Sequence, residues 1–340
     1  MSLVVVDADV LGRERTGDET YALNLLRELP GPAAEAGLRV AAVTRHPELV
    51  PAGIEPIELA GGLQELRMAW TLPRMLRRLG AALVHTQYAH PLRSPCPCVV
   101  TIHDLSFERD PTAMGWRDRL IFRTVVPRAA RRAVRVLTVS ERSRRDLVEL
   151  YGLAEEKVVV TPNGVDPAFT PGAAGPASPP YALAVGAVQA RKNQRAALAA
   201  AHENGLELVV AGPVKEQRIA DELLAAGARL EGYVPLVRLV ELYRGASCLI
   251  QTSRYEGFGL PVVEAMACGI PVVCIDEPAL REVAAAAAVV VAGDELAAGV
   301  ATALAERARL VSAGLERAKD FSWARVAEAT VAVYREALAR

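Results

Sequence analysis

Short apolar runs rich in β-branched residues alternate with helix-patterned segments from one end of this chain to the other. Residues 3–6, 40–43, 83–85, 98–103, 135–140 and 158–161 read as strands, bounded by polar or turn-forming residues. Residues 21–29 read as a helix, with Leu25, Leu26 and Leu29 at helical spacing, and Ser140 as the N-cap of another running to residue 150. The alternation restarts further on, with strands at 182–186, 206–211, 229–230, 247–252 and 271–275. Helices are expected between them at 194–201, 219–226, 236–245 and 260–268, with Ala-rich helices after the last strand. A chain that alternates in this way builds parallel sheets with crossover helices. The expected fold class is therefore α/β, with doubly wound, Rossmann-like parallel sheets.

The alternation is interrupted once. Residues 167–180 read PAFTPGAAGPASPP, with little apolar periodicity, the pattern of a linker. The 340 residues suit two domains at roughly 100–200 residues each. The expected division is 1–166, linker 167–180, domain 181–320 and a final helix 321–340. Two such halves make a cleft, and ligands of open α/β sheets sit at the carboxyl ends of strands, near helix N-termini.

Composition removes several classes. A net charge of −1 and 51% hydrophobic residues argue against intrinsic disorder and against a nucleic-acid binder. The apolar run 283–292 is about half the roughly 20 residues of a membrane span. The N-terminus lacks the basic region of a signal peptide. Five cysteines without C-x-x-C spacing exclude a simple disulfide framework or zinc ribbon, and with them the chain is expected in the cytoplasm.

The balanced charge hides an asymmetry. Residues 61–150 hold sixteen arginines against eight acids, a net +8, while the rest of the chain is −9. Arg117, Arg119, Arg123, Arg128, Arg131, Arg132 and Arg135 interleave with Leu120, Ile121, Phe122, Val125 and Val126. This reads either as a basic amphipathic helix for an anionic membrane face or as a solvated face in an arginine-rich chain.

The most informative turn is EGFGLPVVEAMACG, from Glu256 to Gly269. A strand leads into Gly257-Phe258-Gly259 and then a helix opening at Leu260, with Pro261 near its start and Gly269 past its end. Its first N–H groups and dipole form an anion site, which two glycines let a phosphate approach. Glu264, about one turn in, suits a ribose diol, and Glu256 faces the group beyond the phosphates.

The spacing Glu256-x7-Glu264 around GFGLP resembles the E-x7-E motif of the family 4 retaining glycosyltransferases, also called group 1. Further matches fall in the family's order: TVSERSRRDL at 138–147, KVVVTPNGVD at 157–166, RKN at 191–193, EGYVP at 231–235 and FSW at 321–323. The resemblance covers nearly the whole chain. It implies a GT-B fold, with a nucleotide-sugar donor held mainly by the C-terminal domain and an acceptor mainly by the N-terminal one. It also implies that the last helix crosses back to the N-terminal domain, with Phe321 and Trp323 as anchors.

Other candidates gain roles from this resemblance. Arg191 and Lys192 would neutralise the leaving diphosphate, Arg as a fork and Lys as a point charge. Ala187 stands where some members carry an arginine, which places the role on Arg191. His103 would contact the donor sugar near the reacting carbon. The loop at Tyr233 and Val234 would meet the base, with Tyr233 either stacking on it or packing. Gly17 sits in the first strand-to-helix loop, where the family brings backbone close to phosphate or acceptor. His85 and His90 read as structural. Asp7-Ala8-Asp9 matches the D-x-D metal motif of a different fold and reads as coincidence, since it ends the first strand with neither a third carboxylate nor the rest of that fold evident; Arg191, Lys192 and the helix N-terminus would make a metal unnecessary.

The expected function is retaining transfer of a hexose to a glycan, lipid-linked or small-molecule acceptor. The RKN and HD variants resemble mannosyltransferase-like members, which points to GDP-mannose as donor. No metal or other cofactor is expected. The expected partners are the donor, the acceptor and, through the arginine-rich domain, the inner membrane face. The alternatives are a nucleotide-sugar epimerase or phosphorylase on the same two-domain plan, and a binding protein that kept the fold. An NAD-dependent oxidoreductase needs G-x-G-x-x-G after a first strand, and neither 3–6 nor 182–186 leads into one.

Overall fold

A computed structural model describes residues 1–13, 16–59, 64–110, 114–172 and 177–339. The chain divides into two compact units. One comprises 1–108, 114–164 and 322–340, and the other 109–113 and 165–321.

Among the described residues of the first unit, seven strands form one sheet. They are β1 (Ser2–Asp7), β2 (Leu38–Thr44), β3 (Glu55–Glu58), β4 (Leu83–Gln87), β5 (Cys98–Thr101), β6 (Arg135–Thr138) and β7 (Val158–Val160). The order is β3-β2-β1-β4-β5-β6-β7, and every pairing is parallel. Sheets of this kind are covered on both faces, which is why the strands read as continuous apolar runs. Alternate residues divide between two cores. Val5, Val43, Val84, Val100 and Val136 face helices that contribute Leu72, Leu76, Val126, Ala129 and Leu147. Val4, Val6, Val40, Leu83, Val99 and Leu137 face Tyr21, Leu25, Leu26 and Leu29, together with Val326, Val331 and Tyr334 of the last helix, Trp323–Leu338. Burying each such side chain contributes about 1.5–3 kcal/mol, so the last helix is part of this unit's core.

Among the described residues of the second unit, six strands form a sheet: β8 (Tyr181–Val185), β9 (Glu207–Ala211), β10 (Arg229–Gly232), β11 (Cys248–Gln251), β12 (Val272–Ile275) and β13 (Val289–Val291). The order is β10-β9-β8-β11-β12-β13, again parallel. Both sheets therefore reverse direction beside their first strand, between β1 and β4 and between β8 and β11. That is the switch point at which open α/β sheets bind ligands.

The stretch expected as a linker belongs to the second unit, and its residues 173–176 lie outside the described residues. Phe169 is buried edge-on against Tyr243, and the Arg244 guanidinium donates to the carbonyl and hydroxyl of Thr170.

Candidate active site

β8 and β11 are neighbours at the switch point, and the loops that leave their carboxyl ends are fastened together. The backbone N–H of Arg254 donates to the carbonyl of Arg191 at 3.0 Å. The Thr252 hydroxyl lies 2.8 Å from the Lys192 carbonyl and 3.0 Å from that of Asn193. Asn193 adopts a left-handed conformation (φ 51°), which ends the short 3-10 turn Ala190–Lys192 and opens helix Gln194–Glu203. Gly186 precedes this loop with φ 134°. A Cβ there would stand 3.2 Å from Cε of Lys192, so glycine leaves room for the lysine stem to lie over the strand end.

These loops bring Arg191, Lys192 and Glu256 together. Lys192 Nζ donates to Glu256 Oε1 at 2.5 Å, and an Arg191 guanidinium nitrogen lies 3.6 Å from Oε2. The same guanidinium donates to the carbonyl of Tyr255. Burial acts to raise the Glu256 pKa, but the charges of Lys192 and Arg191 outweigh it, and the carboxyl is held at about 2. Glu256 is thus a fixed anion that orients two cations. The cluster keeps one net positive charge at the carboxyl edge of the sheet.

Glu256 leads into the glycine turn. Gly259 (φ 110°) is the N-cap of helix Leu260–Ala267 and brings no side chain to cap it. A Cβ at Gly259 would also meet Leu280 Cδ2 at 2.8 Å. Glycine is required here both by conformation and by the close approach of Leu280. Glu264 follows one turn on and accepts the Tyr243 hydroxyl at 2.6 Å. Burial pushes its carboxyl up to about 7 against the pull of that hydrogen bond, with Asp166 adding to the rise. Two carboxylates eight residues apart therefore hold opposite states: Glu256 is ionised, and Glu264 is poised near neutrality.

The other predicted residues are placed unevenly. Tyr233 is half exposed just beyond β10, next to the partly buried Val234. Gly257 and Phe258 are buried, and the Phe258 ring packs edge-on against Phe321 at 5.5 Å, so this residue serves the turn by packing. Leu260 opens the helix, partly buried.

In the first unit, Gly17 lies inside helix Thr16–Glu28 rather than in the loop before it, and a Cβ there would meet nothing within 4 Å. Asp18 and Glu19 favour a helix N-terminus, and they start the helix before Tyr21, where apolar spacing had placed it. Residues 14 and 15 of that loop lie outside the described residues. His103 follows β5, buried, with Nε2 2.7 Å from Gln87 Oε1 and its ring edge-on to Tyr21 at 4.6 Å. Burial lowers its pKa, with Asp18 and Asp104 opposing. The carboxylates of the D-x-D triplet both meet arginines. Asp7 accepts from Arg67, and Asp9 from Arg13 and from Arg45 at 2.7 Å. His85 is buried, with Nδ1 2.6 Å from the Tyr334 hydroxyl and Nε2 2.7 Å from that of Thr101. It ties the last helix to the sheet.

Sequence reasoning missed three contributors. Gln251, at the end of β11, donates to Glu256 at 2.8 Å and to the Ser253 hydroxyl at 3.1 Å. Thr252 fastens the two loops, and Tyr243 reaches Glu264 from another helix. Gln251 and Thr252 carried one available signal, polar residues closing an apolar strand. Tyr243 carried none.

Two doubly wound sheets, with a cationic pair and a glycine turn at one switch point, define the GT-B class of glycosyltransferase. Comparison with known proteins agrees. Residues 172–321 match the family model for glycosyl transferases group 1, and residues 15–169 that for glycosyltransferase family 4. The O-antigen chain mannosyltransferase B of Escherichia coli is 30% identical over 266 residues, covering 70% of this chain and 70% of that protein. An MMP alpha-(1->4)-mannosyltransferase of Mycolicibacterium hassiacum is 32% identical over 273 residues, covering 72% of this chain and 66% of that protein. A crystal structure of Anabaena HepE in complex with UDP-glucose superposes with a TM-score of 0.75 at 16% identity, covering 99% of each chain, which is a likeness of fold. The chain belongs to the group 1, family 4 glycosyltransferases and is a glycosyltransferase.

Proposed function

We propose that this glycosyltransferase moves mannose from GDP-mannose, with retention at the anomeric carbon and without a metal ion, to a glycan, lipid-linked or small-molecule acceptor. One observation carries the reading: the Arg191–Lys192–Glu256 cluster beside the glycine-capped N-terminus of helix Leu260–Ala267, at the β8/β11 switch point. The names of two relatives favour mannose.

The difficult event is departure of a diphosphate from an oxocarbenium-like carbon. Fixed positive charge that strengthens its hold as the leaving oxygen gains charge lowers that barrier. Arg191, Lys192, the Leu260 N–H and the helix dipole supply it, the task a divalent cation would otherwise perform. Removing one such preorganised donor typically costs about 10²–10³ in turnover. Glu264 would accept both ribose hydroxyls, and Tyr233 would meet the base. The sugar carbon–oxygen bond breaks, and the acceptor oxygen bonds on the same face. The acceptor's proton passes to an oxygen of the departing phosphate, so no protein nucleophile is needed. His103, with its pKa lowered, is assigned to a sugar hydroxyl as a hydrogen-bonding group rather than to proton transfer.

A thermal-shift screen with GDP, UDP, ADP, dTDP and NAD, with and without EDTA, tests the donor site. A ligand at 100 times its Kd stabilises by about 2.7 kcal/mol. The expected result is a GDP shift that EDTA leaves intact, followed by NMR of the product showing the donor's anomeric configuration retained. Stabilisation by NAD alone, or an inverted product, overturns the reading.

A further inference from the structure

Helix Trp116–Arg132 buries one side and exposes another on which arginines and apolar residues are mixed. Its inward side, with Val126, Ala129 and Ala130, is buried in the core on one face of the first sheet. At 3.6 residues per turn, Leu120 and Ile121 flank the middle of the outward side, and Trp116 and Val125 stand at its two margins, half a turn apart. There Trp116 is 72% exposed and Leu120 60%, with Ile121 and Val125 also exposed. Arg117, Arg128, Arg131 and Arg132 stand among them, exposed as well. A face that serves solvation alone would carry the arginines without a tryptophan and three aliphatic side chains between them.

A second element repeats the combination. Helix Leu72–Leu79 sinks Leu72 and Leu76 into the same core, so it covers the same face of the sheet. Just before it, Trp70 is 53% exposed, with the Arg74 guanidinium over its ring at 5.2 Å. Arg77 and Arg78 close that helix. Two exposed tryptophans, each beside arginines, thus stand on one layer of the unit.

We propose that this layer of the first unit docks on an anionic lipid bilayer. Trp116, Leu120 and Trp70 enter the boundary between headgroups and acyl chains, and the arginines pair with lipid phosphates. Charge complementarity selects the occupant. Residues 61–150 carry a net +8 within a chain of net −1. A second copy packed by the same face would set arginines against arginines. A nucleic acid would have no use for exposed Leu120, Ile121 and Val125. The proposal does not depend on the donor-site reading.

The test uses the full chain with phosphatidylcholine vesicles, with and without phosphatidylglycerol. Binding is expected only to the anionic vesicles and should weaken as salt rises. Tryptophan emission should shift to the blue and be quenched by brominated lipid. Trp323 is buried and serves as the unquenched internal reference. The double variant Trp116→Ser/Leu120→Ser should remove most of the blue shift and weaken binding at least about tenfold. Replacing Arg117 and Arg132 by Gln should cost about fivefold each. All four residues are exposed, so melting temperature and the nucleotide-induced shift should not change. No binding to anionic vesicles at low salt overturns the proposal, and so does binding without a blue shift. Self-association or RNA binding that the same variants abolish, with vesicle binding untouched, would reassign the face.

Discussion

Replacing Glu264 by Gln should stabilise the free protein by an amount that grows as pH rises from about 4.5 to about 7 and is constant above that. The carboxyl is pushed from an ordinary 4.5 up to about 7. The folded state therefore holds a proton that the unfolded state has released. The stability linked to that proton is fully present below pH 4.5 and is lost as pH rises to about 7. A gap of about 2.5 pH units corresponds to about 3 kcal/mol. Gln keeps an oxygen for the Tyr243 hydroxyl, whose bond to Glu264 is 2.6 Å, and it never ionises. The variant should match the wild type near pH 4.5 and exceed it by about 3 kcal/mol at pH 8. For a unit of this size each kcal/mol moves Tm by about 2–4 °C, giving a difference of about 6–12 °C. Calorimetry of both proteins across that range reads the difference directly, and effects common to other groups cancel. A difference that stays constant with pH refutes the argument, because Glu264 would then not be a buried acid of raised pKa. A difference of opposite sign would mean that the fold prefers the carboxylate.

If ribose hydroxyls donate to Glu264, GDP binding at pH 7 should release about half a proton, and none in Glu264→Gln; isothermal titration in buffers of differing ionisation enthalpy measures it. Lys192→Ala leaves Glu256, whose Oε1 it meets at 2.5 Å, buried without its nearest cation. It should lower turnover at least about 10²-fold and stability by about 3 kcal/mol. Adding Glu256→Gln should restore melting temperature but not rate, which initial-rate assays on the double variant check. Gly259→Ala forces an alanine to φ 110° against Leu280; a cost of about 1–3 kcal/mol and weaker nucleotide binding are expected by thermal shift. Burial lowers the His85 pKa to about 3, with the charge of His103 adding to it. The folded state therefore stays neutral while the unfolded state takes up a proton below pH 6.5. The wild type should lose about 1.4 kcal/mol per pH unit more than His85→Gln on acidification below 6.5, read by denaturation at stepped pH.

The strands that the sequence announced were the buried ones. β1, β2, β8 and β9 are lined by Val, Leu and Ala on both faces and β11 by Cys, Leu and Ile, and such runs carry their own signal. The edge strand β3 reads Glu-Pro-Ile-Glu and is largely exposed; it exists because β2 offers it a partner in register. β13 lies in an Ala-rich stretch expected to be helical, and pairing with β12 decides it. Helix Leu72–Leu79, unannounced by spacing, forms where Leu72 and Leu76 find the core.

At the site, the residue types and their spacing came from the chain alone: Glu256, the glycine turn and Glu264 lie on one strand–turn–helix segment, and local geometry fixes such a segment. The two-sheet α/β class was likewise legible, because hydrophobic periodicity is a local property. What only the tertiary structure decided is which side chains meet. Lys192 is separated from Glu256 by sixty-four positions and reaches it because β8 and β11 are neighbours. Tyr243 meets Glu264 across two helices. The opposite ionisation of the two glutamates follows from those meetings. Burial opposes the charge of both glutamates, and the neighbouring charges and hydrogen-bond donors, a property of the folded chain, determine which one stays an anion.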